Sequence, residues 1–197
     1  NRSSFTLNET YFAQWVDADL GEANDDYVGC DVPRGLGYCY NGTAVDGSGG
    51  PGEYGAQPPA IGVDFFEGPY QDNNQKDDSV GIGMDEALNG LGYGDGIVDN
   101  ERFGMRRFVY HNNSQGPQGD PQTGPEHYNY MRGIWRDNTQ MVYGGTGHVN
   151  NCTTCEPAHF MFPGDSDQDD YWGTNGVQVA PWTEEDLSGN TPGDRRF

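Results

Sequence analysis

Carboxylates dominate the side chains of this sequence that could do chemistry, and they gather in three short acidic segments. Alternate side chains of a turn can converge on one cation, and carboxylate oxygens are the ligands that calcium prefers. The sequence therefore predicts three calcium clusters. They comprise Asp17, Asp19, Asp25, Asp26 and Asp31 in the first, Asp95, Asp99 and Glu101 in the second, and Asp165, Asp167 and Asp169 in the third.

Neighbouring residues refine two of these clusters. The run from Asp17 to Gly21 partly resembles the start of a helix–loop–helix calcium loop, but no glutamate stands at the twelfth position. The second cluster could draw further oxygen ligands from the preceding polar segment, namely Asp72, Asn74, Asp77 or Asp78.

The overall charge also favours bound cations. The chain has 31 Asp and Glu residues against 10 Lys and Arg residues, a formal charge of −21. Such an excess opposes compaction, because the carboxylates repel one another. Divalent cations would supply the missing positive charge, and a solvated acidic surface is the alternative. Nucleic acid is not an expected partner, since phosphate binding needs a basic patch.

Two other readings of the same residues stay open. Paired carboxylates also serve as acid and base in polysaccharide hydrolases, although nothing in the sequence selects two of them. Exposed tryptophan and tyrosine rings could stack on sugars, as in a carbohydrate-binding module. The chain is more readily interpreted as a binding or structural protein than as an enzyme.

The four cysteines predict disulfides. In an extracellular protein, pairing of neighbours in sequence gives Cys30–Cys39 and Cys152–Cys155. His148 and His159 flank the second pair, so a structural zinc site is the alternative there.

The elements that must position these side chains are mostly strands. Alternation of apolar and polar residues predicts strands in Phe5–Trp15, Gly37–Tyr40, Ala60–Tyr70 and Met105–His111. Helical spacing of apolar residues predicts one helix within Glu126–Asn138. We expect a mainly β, sandwich-like single domain over residues 1–197, with long calcium-stabilised loops, one short helix and a loop insertion around 71–100. No apolar run is long enough to span a membrane, so membrane insertion is not expected.

Several blocks of the sequence carry a resemblance to a known class of protein. They are DDYVGCDVPRGLGYCYNG, YGAQPPAIGVDFFEGP, GDGIVDNERFGMRRFVYHNN, HYNYMRGIWRDNTQMVYGG, HFMFPGDSD, WGTNG and GNTPGDRRF, in this order. From Phe12 to Phe197 the chain resembles a region of large secreted Bacteroidota proteins that carry a C-terminal type IX secretion sorting domain.

The resemblance implies an exported, surface-attached or released protein with an adhesive or filament-forming role and no settled activity. It also implies that the chain is part of a longer protein, whose partners are other segments of that protein, copies of itself, or glycans. Five Asn-x-Ser/Thr sequences would accept N-glycans in a source that glycosylates asparagine, beginning at Asn1, Asn8, Asn41, Asn112 and Asn151. Together these expectations describe an extracellular, calcium-binding structural or adhesive module.

Overall fold

Short strands joined by long loops make up the computed structural model of the chain, which describes residues 4–79, 90–163, 172–174, 176–186 and 194–197. Its strands are β1 (Asp26–Asp31), β2 (Leu36–Asn41), β3 (Val45–Asp46), β4 (Gly55–Ala56), β5 (Ala60–Asp64), β6 (His111–Asn112) and β7 (Arg195–Arg196). One α-helix, α1 (Gly124–Met131), and two 3-10 helices, Trp172–Thr174 and Glu184–Asp186, complete the described elements. The expected mainly β domain with one short helix is confirmed.

An antiparallel sheet in the order β1-β2-β5 forms the largest regular element. Val28 lies opposite Cys39 in its register, and both side chains are buried against the core. The outer edge of β1 is covered, since the Cys30 amide donates to the Phe162 carbonyl at 3.1 Å. The outer strand β5 is mostly exposed, with 40% of Ile61 accessible. β3 pairs with β4 and β6 pairs with β7 in two smaller sheets.

The core beneath this sheet is aromatic and comes largely from loop segments. Its members include Tyr110, Trp135, Phe160, Phe162 and Trp182, all at most 2% exposed. Edge-on ring contacts link Phe162 to Tyr110 and to Trp182. The two buried indoles donate to loop carbonyls, Trp135 to that of Gly147 at 2.8 Å and Trp182 to that of Gly145 at 3.0 Å. These bonds hold irregular backbone against the rings without a strand ladder.

Helix α1 begins with a capping box. Thr123 is the N-cap, and the Glu126 carboxylate accepts the Thr123 amide at 3.2 Å, which satisfies a donor that the helix leaves open. The helix was expected within Glu126–Asn138, but it starts two residues earlier and ends at Met131. It stops there because Gly133 takes a left-handed φ of +72°, which ends helical pairing.

The expected strand Ala60–Tyr70 ends at Asp64, and two other expected strands are wrong in whole or in part. Residues 5–15 form no strand within the described chain, and of the predicted Met105–His111 strand only His111 belongs to a strand, β6. Phe108 makes one isolated bridge to Phe160, and no ladder extends from this bridge within the described residues. Apolar alternation in both segments reports a half-buried extended backbone, but a strand also requires a partner edge along its length, which local sequence does not reveal.

Of the two disulfides that the sequence predicts, one is confirmed and the other is wrong. Cys152 and Cys155 form a disulfide. Cys30 lies opposite Gly37 and Cys39 opposite Val28, so the two buried thiols belong to different cross-strand pairs and are not bonded. A disulfide needs Cβ atoms as close as those of directly opposite residues. Burial raises the pKa of the Cys39 thiol to about 12, which keeps it protonated.

A buried ion pair attaches the C-terminal strand to the sheet. Arg195 Nε lies 2.9 Å from Glu184 Oε1, and both side chains are almost fully buried. The other oxygen, Glu184 Oε2, accepts the Val28 amide of β1 at 2.5 Å. The pair therefore links β7, the second 3-10 helix and β1.

Replacing Arg195 by methionine should destabilise the fold strongly, because it leaves the Glu184 carboxylate buried without its counter-charge. We expect a loss of about 3–5 kcal/mol in the free energy of unfolding, measured by urea denaturation. Arg34→Met is the matched control, since Arg34 pairs with Asp31 at the surface with 75% of its side chain exposed, and should cost less than about 1 kcal/mol. Equal losses in the two variants would contradict this assignment.

Candidate metal centre

The structure separates the first predicted calcium cluster into three places. Asp17 and Asp19 lie near Asp194, with one ligand atom of each within 4.8 Å of the others. Asp25 and Asp26 lie at the start of β1. Asp31, at the other end of β1, forms an ion pair with Arg34.

Asp25 and Asp26 each direct one carboxylate oxygen to a backbone amide and keep the other without a donor. Asp26 Oδ2 accepts the Leu20 amide at 2.7 Å, and Asp25 Oδ2 accepts the Gly47 amide at 2.9 Å. The Oδ1 atoms of both residues are buried and have no hydrogen-bond partner among the described residues. Asp26 is 2% exposed, so solvent does not substitute for the missing donor.

Asn41 has a third oxygen of this kind. It stands directly opposite Asp26 in the register of β1 and β2. Its Nδ2 donates to the carbonyls of Thr43 at 2.9 Å and Val45 at 3.2 Å, which fixes the amide orientation. Asn41 Oδ1 is then the acceptor left over, again buried and without a partner in the described chain. We call these three residues the Asp25–Asp26–Asn41 cluster.

A fully buried carboxylate, Asp46, supports the loop around this cluster. Its two oxygens accept the amides of Glu22, at 2.8 Å, and of Tyr54. Gly21 makes this approach possible: it has a φ of +79°, and a Cβ added there would lie 2.0 Å from Asp46 Oδ2. Neither Asn41 nor Asp46 was expected at this site from the sequence. The Asp46-Gly47 turn was the available signal for Asp46, whereas nothing local marked Asn41.

The electrostatics of the cluster are unfavourable without a cation. Burial raises the pKa of Asp26 from 3.8 to about 6; the Leu20 amide opposes this shift, and the charges of Asp25 and Asp46 add to it. Among the described residues, Asp26, Asp46, Glu101 and Glu184 are buried acids, and Arg195 is the buried arginine or lysine that accompanies them. Burying carboxylates without matching positive charge costs several kcal/mol each.

The donor set of the cluster fits a hard cation. The three atoms without partners are all oxygens, two from carboxylates and one from an amide carbonyl. Calcium takes ligands of this kind in flexible numbers, and backbone carbonyls and water can complete its shell. A cation bound to all three oxygens would satisfy them and neutralise the two charges.

The second predicted cluster lies in one loop, but its carboxylates already accept backbone amides. Glu101 Oε1 accepts the Asp78 amide at 2.6 Å, and Asp99 Oδ1 accepts the Gln75 amide at 2.7 Å. Asp95 Oδ1 accepts the amide of Ile97 at 2.8 Å, within the same turn. Two of these three bonds join residues 71–79 to residues 90–101, so the carboxylates brace the insertion whether or not a cation is present.

Asp17, Asp19 and Asp194 make a weaker candidate. Asp17 and Asp19 are exposed and Asp194 is half-buried. Arg196 already supplies positive charge, with its guanidinium 3.1 Å from Asp17 Oδ2 and 2.9 Å from Asp194 Oδ2. Desolvation raises the pKa of Asp17 and of Asp19, and the charge of Asp194 adds to both shifts.

The remaining predicted ligands can be placed briefly. Asp165, Asp167 and Asp169 lie outside the described residues. The disulfide takes both thiols of the alternative zinc set, and His148 Nε2 lies 2.9 Å from Asp137 Oδ2 instead.

Comparison with known proteins gives no relative from which a function could be transferred. No family model matches the chain, and neither the curated proteins nor the solved structures contain a match. No helix in the described part of the chain has the length and apolar character needed to cross a membrane.

The raised pKa of Asp26 predicts a pH dependence of stability in the absence of divalent cations. The folded state binds its proton more tightly than the unfolded state, so the free energy of unfolding should fall as pH rises from about 4 to about 6. Asp26→Asn should remove this contribution, and Asp31→Asn should retain it. Urea denaturation of the three proteins in chelator between these pH values tests the expectation. Equal slopes in all three would contradict it.

Proposed function

We propose that the chain is an extracellular, calcium-binding structural or adhesive module of a cell-surface protein. The observation that carries the proposal is the Asp25–Asp26–Asn41 cluster, in which three buried oxygens have no hydrogen-bond donor among the described residues. A folded protein rarely leaves such atoms unsatisfied, and each one is costly. A bound cation removes that cost for all three together.

The place of the cluster in the fold indicates what calcium would do there. Asp25 and Asp26 open β1, and Asn41 ends β2, so a shared cation would close the hairpin at the end away from its turn. The Asp25 carboxylate also accepts the Gly47 amide, which extends the connection to the loop after β3. Because an unfolded chain has no such arrangement, the binding free energy would add to folding stability.

Two further observations support the extracellular setting. The Cys152–Cys155 disulfide is typical of oxidising compartments, where such bonds persist. Extracellular fluids also hold calcium at the level that modules with modest affinity require. The resemblance of the sequence blocks to secreted Bacteroidota surface proteins points in the same direction and is the basis for an adhesive or filament-forming role.

Thermal unfolding with and without calcium tests the proposal. When free calcium exceeds its dissociation constant about a hundredfold, the free energy of unfolding should rise by about 2.7 kcal/mol. For a domain of this size we expect the melting midpoint to increase by about 5–10 °C. Potassium chloride at the same ionic strength should produce a smaller change, because it screens surface repulsion without binding the cluster.

A matched pair of variants locates the effect. Asp25→Asn/Asp26→Asn should abolish the calcium-dependent increase, whereas Asp17→Asn/Asp19→Asn removes the same charge from the exposed acids and should retain most of it. The quantity compared is the difference between calcium and chelator within each protein, so changes in basal stability do not matter. No increase in the wild-type protein would refute the proposal, and an increase that survives in the first variant would place the ion elsewhere.

A further inference from the structure

A groove of about 750 Å³ runs between the extended residues 9–16 and residues 103–109. Its lining includes apolar side chains such as Val63, Phe65 and Phe108. Two large rings of residues 9–16 lie mostly in solvent, with Phe12 81% and Trp15 61% exposed. An exposed apolar surface of this kind marks an interaction site more often than a solvated face.

The charge of the groove is opposite to that of the protein as a whole. Arg106, Arg107 and His127 line it, and Glu9 is the one carboxylate among its described lining residues. Arg106 stacks over the Tyr11 ring at 5.3 Å, and its Nε is buried without a hydrogen-bond partner. No ion pair among the described residues involves Arg106, so its charge is unmatched there and an acidic group from outside would neutralise it.

The backbone beside the groove is also available. Residues 10–15 make no backbone–backbone hydrogen bond within the described chain, and the first such bonds join Val16 to Phe197. A segment that enters the groove could therefore form hydrogen bonds with this backbone. The occupant should be apolar at its centre and acidic at its ends.

One exposed turn of the same protein has this chemistry. Ile97 and Val98 are 59% and 54% exposed, which is unusual for two adjacent β-branched side chains. Asp95 and Asp99 flank them on either side. The turn is held in a defined shape, since Asp77 accepts the Gly96 amide at 2.6 Å. It therefore presents an apolar pair between two carboxylates.

We propose that the groove docks residues 95–99 of a second copy of this chain. Ile97 and Val98 would enter the apolar floor, and a flanking aspartate would pair with Arg106. The two surfaces differ, so the contact is heterologous, and a pair of copies keeps one unused groove and one unused turn. Such contacts extend head to tail, and the local charge match offsets part of the repulsion between two acidic copies.

Sedimentation velocity over a range of protein concentrations tests the proposal. The weight-average mass of the wild-type protein should rise with concentration beyond that of a dimer. Arg106→Glu reverses a charge in the groove, and Ile97→Ser/Val98→Ser removes the apolar side chains of the turn. Each of these two variants should remain monomeric. Arg34→Glu is the control, because it makes the same charge change at an exposed arginine that does not line the groove, and it should assemble like the wild type.

Mixing the two defective variants gives the decisive result. One retains an intact turn and the other an intact groove, so an equimolar mixture should form one-to-one dimers that do not grow further. This outcome also shows that both variants are folded.

Three outcomes would overturn the proposal: a wild-type protein that stays monomeric at every concentration, variants that assemble like the wild type, or a mixture that forms no dimers. Preferential binding of an acidic polysaccharide such as polygalacturonate, without self-association, would assign the groove to glycans instead. The groove shares no residue with the Asp25–Asp26–Asn41 cluster. Failure of the calcium-dependent melting shift would therefore leave this proposal standing, and the reverse also holds.

Discussion

Buried negative charge without matching positive charge is the constraint on which the rest of this structure depends. Asp26 and Asp46 are both buried, and their negative charges repel each other. Arg195, the buried arginine among the described residues, is already paired with Glu184. Charge in a low-dielectric interior must be neutralised by protonation, a counter-ion or several hydrogen bonds. Asp46 takes the third course, since two amides satisfy it. Asp26 has one amide and a raised pKa, which leaves protonation or a cation.

The same acidic residues explain how long loops keep a defined shape with few strands. Asp46, Asp77, Asp99 and Glu101 each accept a backbone amide from a segment distant in sequence. Hydrogen bonds to a charged acceptor are stronger than those between neutral groups. The carboxylates therefore stabilise backbone that a strand ladder stabilises in other proteins. The buried indoles contribute apolar packing to the same loops. A chain built in this way gains stability wherever a cation relieves the repulsion among its acids.

The two proposals concern opposite ends of the charge distribution. The Asp25–Asp26–Asn41 cluster concentrates negative charge and calls for a cation, whereas the groove around Arg106 concentrates positive charge in an acidic molecule. Calcium at the first would rigidify a module, and head-to-tail docking at the second would join modules. Neither property depends on the other.

The sequence by itself determined the mainly β class, the position of β2, the start of β5, the single helix and the Cys152–Cys155 disulfide, because each follows from local pattern or spacing. It also identified Asp25 and Asp26 by their density of charge. It missed β1, since aspartates at both ends of that strand favoured a turn. Only tertiary structure decided that Asn41 faces Asp26, that Arg196 pairs with Asp17, and that Cys30 and Cys39 stay apart. Those outcomes depend on strand register and on contacts between residues far apart in sequence, and spacing along the chain carries no information about either.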